Sequence, residues 1–571
     1  MRLKDLPKNL LSPNAILSLK PAGTGASLMQ SEYAQALTVL GVLVALVLLI
    51  ACTNVANLMA GQAAARGHEL ALRMSLGAGR VRVVRLLMAE SAMLGGQAAV
   101  LGIAFAWWAT PYVVSRINPP DDPTRLVLGL DWMVAGFAVL LTLAVTMLFG
   151  MLPALRASGV RPGNALKGDE EPRSKAAWMQ SMIAVQVAFC FVVLFLAGLF
   201  AVTEATLGQP MGFTAERLLL LDTVSRAEQP AVKWDQMVAA LRNLPGVQSA
   251  ALEDWPLMSG TQHNNQISVN GEQPSPVLAF FLAVSPGWLD TMRIKLVDGR
   301  DFRQSDATPS VAIVNETFAK AFFGGRNPVG QGFDVVQPFD AQMKKPRVHY
   351  QVVGVVKDVM YRNVREQILP QVYLPVHHLA ATAGAGTLQP MRGEVIVVRT
   401  ASDNMAQMAD MLQRAVPQMD PEFRVSTVTP QTELIADQTI RERLLAALAG
   451  FFAGVALLLA AVGLYGVLHY SVVQREREIG IRIAMGATAV NIARTVSARV
   501  MAMVVVGAAV GLIAGAASVR FVASLLYGVK GTDTSMLVLP VIVLLAAAAC
   551  AAIPAVLRAV RINPATMLRA E

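Results

Sequence analysis

The sequence is poor in charge and poor in cysteine. Only 15% of its 571 residues are Asp, Glu, Lys or Arg, while 54% are hydrophobic, at a mean hydropathy of +0.49. That balance excludes an ordinary soluble chain of this length. The three cysteines, Cys52, Cys190 and Cys550, stand far apart inside apolar runs. They exclude a disulfide framework and read as small packing residues. There is no Gly-Lys dipeptide, hence no Gly-x-x-x-x-Gly-Lys-Ser/Thr loop to cradle nucleotide phosphates. His-Glu-x-x-His and Gly-x-Ser-x-Gly are missing as well, and with them two common hydrolase arrangements. His377-His378 follows Tyr373-Leu374-Pro375 without a helical carboxylate partner and reads as a polar turn. Glu316 and Asp358 read as ends of elements, not as a catalytic pair. No catalytic residue, cofactor or metal site is expected.

What the sequence does have is repetition. Arg66-x-x-Glu69-x-x-x-Arg73-x-x-x-Gly77-Ala78 returns 409 residues later as Arg475-x-x-Glu478-x-x-x-Arg482-x-x-x-Gly486-Ala487. At the same offset Gly41, Leu48, Leu49 and Ala51 fall on Gly450, Leu457, Leu458 and Ala460, and Arg85 on Arg494. Related tails close the two copies, Pro153-Ala154-Leu155 through Arg161-Pro162 against Pro554-Ala555-Val556 through Asn563-Pro564.

Crossing a bilayer takes roughly 20 apolar residues, and seven segments meet or approach that length, near 37–59, 91–115, 132–153, 178–203, 444–467, 500–521 and 536–557. The net charge of +9 is a topology signal more than a nucleic-acid one, because the basic residues cluster beside these segments. Loops 61–90, 156–177 and 471–499 carry five Lys or Arg each, whereas 116–131 has only Arg116 and Arg125. The rich loops are therefore expected in the cytoplasm together with the C-terminus, with the N-terminal tail and the insert at 204–443 outside. Glu90, Asp131 and Arg520 lie near span ends, where they can snorkel. Gly41 with Ala45, and Gly507, Gly511 and Gly515, have the small-x-x-x-small spacing of close helix packing.

The insert alternates a helix over 231–244, a strand over 311–314, a helix over 316–323 and a strand over 351–356, punctuated by Pro245-Gly246, Pro286-Gly287, Gly324-Gly325 and Asn327-Pro328. It predicts an α/β extracytoplasmic domain tethered at both ends to spans.

In the charged repeats, Glu precedes Arg by four residues, the favourable order for pairing on one helix face, and Gly77 and Gly486 stop each helix. Spacing alone leaves two readings open: a surface helix on which a partner pushes, or charges that merely fix topology.

The repeats and their flanking spans resemble the FtsX-like permease domain of the MacB and lipoprotein-release class of ABC transporters. The insert resembles the MacB-type periplasmic core domain, through Val284-Ser285-Pro286-Gly287-Trp288-Leu289, Gly299-Arg300-Asp301-Phe302, Val311-Ala312-Ile313-Val314-Asn315-Glu316, Asn327-Pro328-Val329-Gly330 and Val353-Gly354-Val355-Val356-Lys357-Asp358-Val359. Two permease domains in one chain resemble the duplicated orphan permeases best known from acidobacterial genomes. By that pattern the chain lacks one helix and one periplasmic domain in its first half, as a truncated gene or a late start would produce. The resemblance implies a polytopic α-helical membrane protein of about seven spans, with two three-helix FtsX-like repeats and one α/β periplasmic core domain. The expected parts are a tail at 1–35, a first permease domain at 36–168, a cytoplasmic linker and fourth span at 169–203, the periplasmic domain at 204–443 and a second permease domain at 444–571.

As the resemblance implies, the repeats act as coupling helices, so Arg66, Glu69, Arg73, Gly77, Arg475, Glu478, Arg482 and Gly486 are the expected contact with a separate ABC ATPase. The function implied is that of an inner-membrane permease subunit passing ATP-driven motion to a periplasmic domain to export a cargo. The alternative is a membrane regulator that activates a periplasmic partner such as a cell-wall hydrolase. A periplasmic or outer-membrane partner, and either a homodimer or an intramolecular pseudo-dimer, complete the expected assembly. Nucleic acid is not among its partners.

Overall fold

The computed structural model describes residues 28–65, 80–117, 133–134, 136–145, 147, 173–208, 210–307, 311–336, 348–377, 390–474, 476–485, 487–529, 531 and 533–561. The elements run α1 (Leu28–Ala65), α2 (Arg80–Ile117), α3 (Gly136–Val145), α4 (Arg173–Leu207), β1 (Leu218–Gln229), α5 (Ala231–Arg242), β2 (Val247–Glu253), β3 (His263–Val269), β4 (Leu278–Val284), α6 (Trp288–Met292), β5 (Leu296–Gly299), β6 (Val311–Asn315), α7 (Glu316–Phe323), β7 (Gly332–Val336), β8 (Val348–Val356), β9 (Gln371–Pro375), β10 (Met391–Thr400), α8 (Met405–Met419), β11 (Phe423–Pro430), α9 (Gln431–Gln438), α10 (Ile440–Gln474), α11 (Glu476–Ala484), α12 (Ala489–Val522) and α13 (Thr534–Val560). The chain divides into two compact units, one formed by Met1–Tyr112, Leu126–Ala201 and Leu444–Glu571, the other by Val113–Arg125 and Val202–Arg443.

Among the described residues six helices are long and apolar enough to cross a bilayer: Ala34–Ala56, Met88–Pro111, Ser181–Leu207, Ile440–Gln474, Ala489–Leu525 and Thr534–Val560. A span must be helical because lipid offers its backbone no hydrogen-bond partner. The remaining expected span, 132–153, is described only in part, by α3 and the helical residues 133, 134 and 147. Helix α4 is the most buried, with Ile183, Val187, Cys190, Phe191 and Phe195 all at or below 1% exposure. It lies in the groove that the glycines of α12 leave open. A Cβ on Gly507 would sit 2.5 Å from the Ala184 carbonyl oxygen, and one on Gly511 would sit 2.6 Å from Phe191 Cβ. The other expected small-residue face behaves differently. Gly41 has nothing within 4 Å of its missing Cβ, because α1 buries Ala36, Val39, Leu43 and Ile50 and turns Gly41 and Ala45 outward.

The second unit is built on one sheet in the order β11-β1-β10-β2-β4-β3-β7-β8-β6-β9, with β5 beside β8. It has two lobes. The first is the antiparallel set β11-β1-β10-β2, one face of which is covered by α5 and α8. Residues two apart on a strand share a face, so Leu219 and Leu221 of β1 and Ile396 and Val398 of β10 meet Trp234, Leu241 and Leu412 of those helices. The Trp234 and Phe423 rings meet edge to face at 4.8 Å. In the second lobe β4 pairs with β3 on one side and β9 on the other, so β4-β3-β7-β8-β6-β9 closes into a six-stranded barrel. Phe281, Val314, Phe333 and Val372 fill it together with Phe318 from α7. Closure leaves those strands no unpaired edge.

The expected helix at 231–244, strand at 311–314, helix at 316–323 and strand at 351–356 are α5, β6, α7 and β8.

Candidate functional site

Of the eight residues that the repeats single out, Arg66, Glu69, Arg73, Gly77, Arg475 and Gly486 lie outside the described residues. Glu478 and Arg482 are described, and they lie where the spacing places them. Helix α11 runs from Glu476 to Ala484 between the long helices α10 and α12, and Glu478 Oε1 meets Arg482 Nη2 at 2.5 Å. Ile479 of α11 is buried against Val472, Ile492 and Ala559, which fixes the helix to its own spans. The pair beside it is open, its side chains 49% and 44% exposed. Ile481 and Met485 are exposed beside it, Met485 at 74%. The exposed surface thus combines an ion pair with the apolar side chains of Ile481 and Met485. A pair this exposed adds only about 0.3–0.5 kcal/mol to its helix.

The second place where chemistry concentrates is the junction of the two lobes. β2 and β4 are joined by one ladder pair, Glu253 with Val284, flanked by Asp254 N–H donating to the Ala283 carbonyl at 3.1 Å and Ser285 N–H to the Leu252 carbonyl at 2.9 Å. Glu253 is fully buried. Its Oε2 accepts from Trp288 Nε1 at 2.8 Å, and its Oε1 is buried without a partner. Burial pushes the Glu253 carboxyl up to about 8, against the pull of the Trp288 hydrogen bond. Burial likewise raises Asp254 to about 6, and burial with the nearby Asp254 charge raises Glu394 to about 8.

Of the motifs of the insert, that at 284–289 reaches this junction and Asp301 joins it, while the others hold β5, β6, β8 and α7 together. Gly287 adopts φ +83° at the start of α6, where its N–H donates to Asp301 Oδ2 at 3.1 Å, and Ser285 Oγ accepts from Leu252 N–H at 2.8 Å. Gly299, at φ +81°, stands so close to the Val353 carbonyl that no Cβ fits. Arg300 forks onto both oxygens of Asp306, at 2.6 and 3.1 Å. Glu316 and Asp358 come together as helix caps. Asp358 accepts from Thr317 N–H and Oγ1 at 2.9 and 2.8 Å, Glu316 pairs with Lys357 at 2.8 Å, and Asn315 Oδ1 accepts from Phe318 N–H at 2.9 Å. His377 departs from the polar turn expected of it. Its side chain is 11% exposed and meets Asp235 of α5 at 2.8 Å, a helical carboxylate 142 residues away that no local spacing could reveal.

Among the described residues no group of three His, Cys, Asp or Glu side chains is arranged to hold a metal ion. Sequence reasoning missed Glu253 and Trp288 as partners. The available signal was an acid closing the apolar run Ala250-Ala251-Leu252.

Two family profiles match. The MacB-like periplasmic core domain matches residues 182–415, and the FtsX-like permease C-terminal domain matches twice, at 41–162 and 450–564. The macrolide export ATP-binding/permease protein MacB of Marinobacter nauticus is 25% identical over 43% of this chain and 35% of its own length. The uncharacterized ABC transporter permease YknZ of Bacillus subtilis is 21% identical over 48% of this chain and 63% of its own length. The crystal structure of the periplasmic region of MacB from Actinobacillus actinomycetemcomitans aligns with 40% of this chain and 94% of its own, at 14% identity and a TM-score of 0.27. The chain spans about a third of the length of the curated ATP-binding/permease proteins it matches.

Proposed function

Because the chain belongs to the MacB/FtsX-like ABC transporter permeases, we propose that it transmits the motion of a separate ATPase, through α11 and its counterpart at 66–77, to the periplasmic domain, and so drives export of a cargo. It is a multi-pass inner-membrane protein with a periplasmic domain, the membrane component of an ABC transporter. The C-terminus and the charged repeats are cytoplasmic in this reading, and 204–443 is periplasmic. One observation carries it: α11 is anchored to its own spans by Ile479 while Glu478, Arg482, Ile481 and Met485 are exposed. A helix fixed on one side and open on the other passes a push to the spans it is fixed to. The export of macrolide or pyoverdine named for the relatives supports a periplasmic, lipophilic or peptide-like cargo.

The test is affinity purification of the tagged chain from native membranes beside a Glu478→Lys/Arg482→Glu variant. The swap keeps an ion pair on the helix but inverts the charge pattern presented to a partner. An ABC ATPase recovered with the wild-type chain and lost with the variant is the expected result. An ATPase recovered equally with both removes α11 from the coupling role, and a cell-wall hydrolase recovered without any ATPase replaces transport by regulation.

A further inference from the structure

The two repeats meet in the membrane at a position where they differ. Asn54 in α1 and Gly463 in α10 hold the same place in the two copies, 409 residues apart, and they touch. Asn54 is 4% exposed, and its Nδ2 donates to the Leu459 carbonyl at 2.6 Å, one turn before Gly463. A Cβ on Gly463 would fall well inside van der Waals contact distance of Asn54 Oδ1 and 2.8 Å from Gln186 Nε2, which itself reaches the Leu459 carbonyl at 3.3 Å. A residue that touches its own equivalent lies on a two-fold axis. Here the axis is local and relates two parts of one chain.

We propose that Asn54 and Gly463 are a knob and a hole on this pseudo-two-fold, which pair the unlike repeats of a single chain and close this face to a second copy. The argument rests on what like pairing would produce. Two copies of α1 crossing here would oppose Asn54 to Asn54, where the observed crossing has no room for a Cβ. Two copies of α10 would oppose Gly463 to Gly463, with no Asn54 amide between them to reach the Leu459 carbonyl. Only the unlike pair fills the space and uses the hydrogen bond, so the arrangement rejects the alternative as well as favouring the intended partner. A polar side chain buried between helices is an apt device, because the wrong pairing strands it in an apolar medium.

The inference needs no ATPase, so it can fail while the proposed function stands, and the reverse. The test is oxidative cross-linking of the full chain in membranes, with Cys52, Cys190 and Cys550 replaced by alanine and Asn54→Cys, Gly463→Cys or both introduced. The expected result is a disulfide in the double variant that mass spectrometry places between residues 54 and 463 and that runs at monomer mass, with no product from either single variant. A covalent dimer from either single variant overturns the proposal, as does a double variant that elutes as a monodisperse species yet gives no cross-link. An exchange of the two residues keeps the question open to test if the cysteine variants misfold. Gly463→Asn alone should lose the monodisperse species, and Asn54→Gly/Gly463→Asn should restore it. A double variant no better than the single one also overturns the proposal.

Discussion

Glu253 makes the stability of the periplasmic domain fall as pH rises, and the slope can be worked out. Its carboxyl is fully buried at the ladder pair joining β2 to β4 and is pushed up to about 8 from an ordinary 4.5. Between those values the folded chain holds a proton that the unfolded chain has released. Raising the pH therefore favours unfolding, by about 1.4 kcal/mol per pH unit from this group, or roughly 3 kcal/mol between pH 5 and 7.5. Below pH 4.5 both states are protonated and the effect is absent. Asp254 and Glu394, also raised, add to the slope in the same direction. Glu253→Gln removes one share of it. A glutamine keeps an oxygen for Trp288 Nε1, and its amide takes the place of a protonated Oε1 that has no partner in any case. Urea unfolding of the full chain in detergent, followed by tryptophan fluorescence at pH 5, 6, 7 and 8, reads the difference. The variant should match the wild type at pH 5 within ~1 kcal/mol and exceed it by ~3 kcal/mol at pH 7.5. A variant that is less stable than the wild type by one constant amount at every pH would refute the reasoning.

The remaining predictions concern single side chains of the same domain. Arg399, 3% exposed, donates to the carbonyls of Thr291, Glu216 and Thr214 at 2.6, 2.8 and 2.7 Å; Arg399→Met orphans all three and should cost ~3–5 kcal/mol by urea midpoint. Gly299→Ala forces a side chain into a φ of +81° against the Val353 carbonyl, so β5 should leave β8, seen as faster amide exchange at Gly354 and Val355 and a loss of more than ~2 kcal/mol. Trp234→Ala empties the core under β1 and β10 and should cost ~3–5 kcal/mol, whereas Arg482→Ala on α11 should change stability by less than ~0.5 kcal/mol.

What the sequence revealed and what it hid divide along the distance between interacting residues. The pair Glu478 and Arg482 is four apart, so a helical period was enough to place it. The glycines of α12 were legible for a similar reason: a face of Gly507, Gly511 and Gly515 announces a close neighbour, though not that the neighbour is α4. The Gly41 and Ala45 face shows the limit of that signal, since the same spacing there points outward. The barrel could not be read at all. Its closure depends on β4 pairing with β9, Phe280 with Gln371 through Val284 with Pro375, and β9 alone reads as a short apolar strand with nothing to say which neighbours it joins. His377 and Asp235 fail in the same way.

The junction of the lobes shows why such a failure falls on buried charges. A carboxylate closing a strand looks, in sequence, like any solvated strand end, because exposure is the cheaper fate for a charge. Glu253 is buried instead because β4 serves two lobes at once: its Phe280 to Val284 stretch pairs with β9 inside the barrel, while Val284 alone reaches β2. The Trp288 indole, delivered by the left-handed turn at Gly287, closes the remaining side. Each lobe has its own core, and Ala283 of β4 and Val376 after β9 pack into that of the first, while the strands of the two lobes are joined by the single ladder pair. The proton on Glu253 then matters more than one hydrogen bond would elsewhere: an ionised carboxylate with an unpartnered oxygen, buried at the single ladder pair beside Trp288, draws water into the seam. The loss of stability with rising pH should therefore begin at this seam, with amide exchange at Asp254 and Ser285 accelerating before that of Ile396 or Val314 in the cores. Uniform acceleration across both lobes would show that the seam is no weaker than the cores it joins.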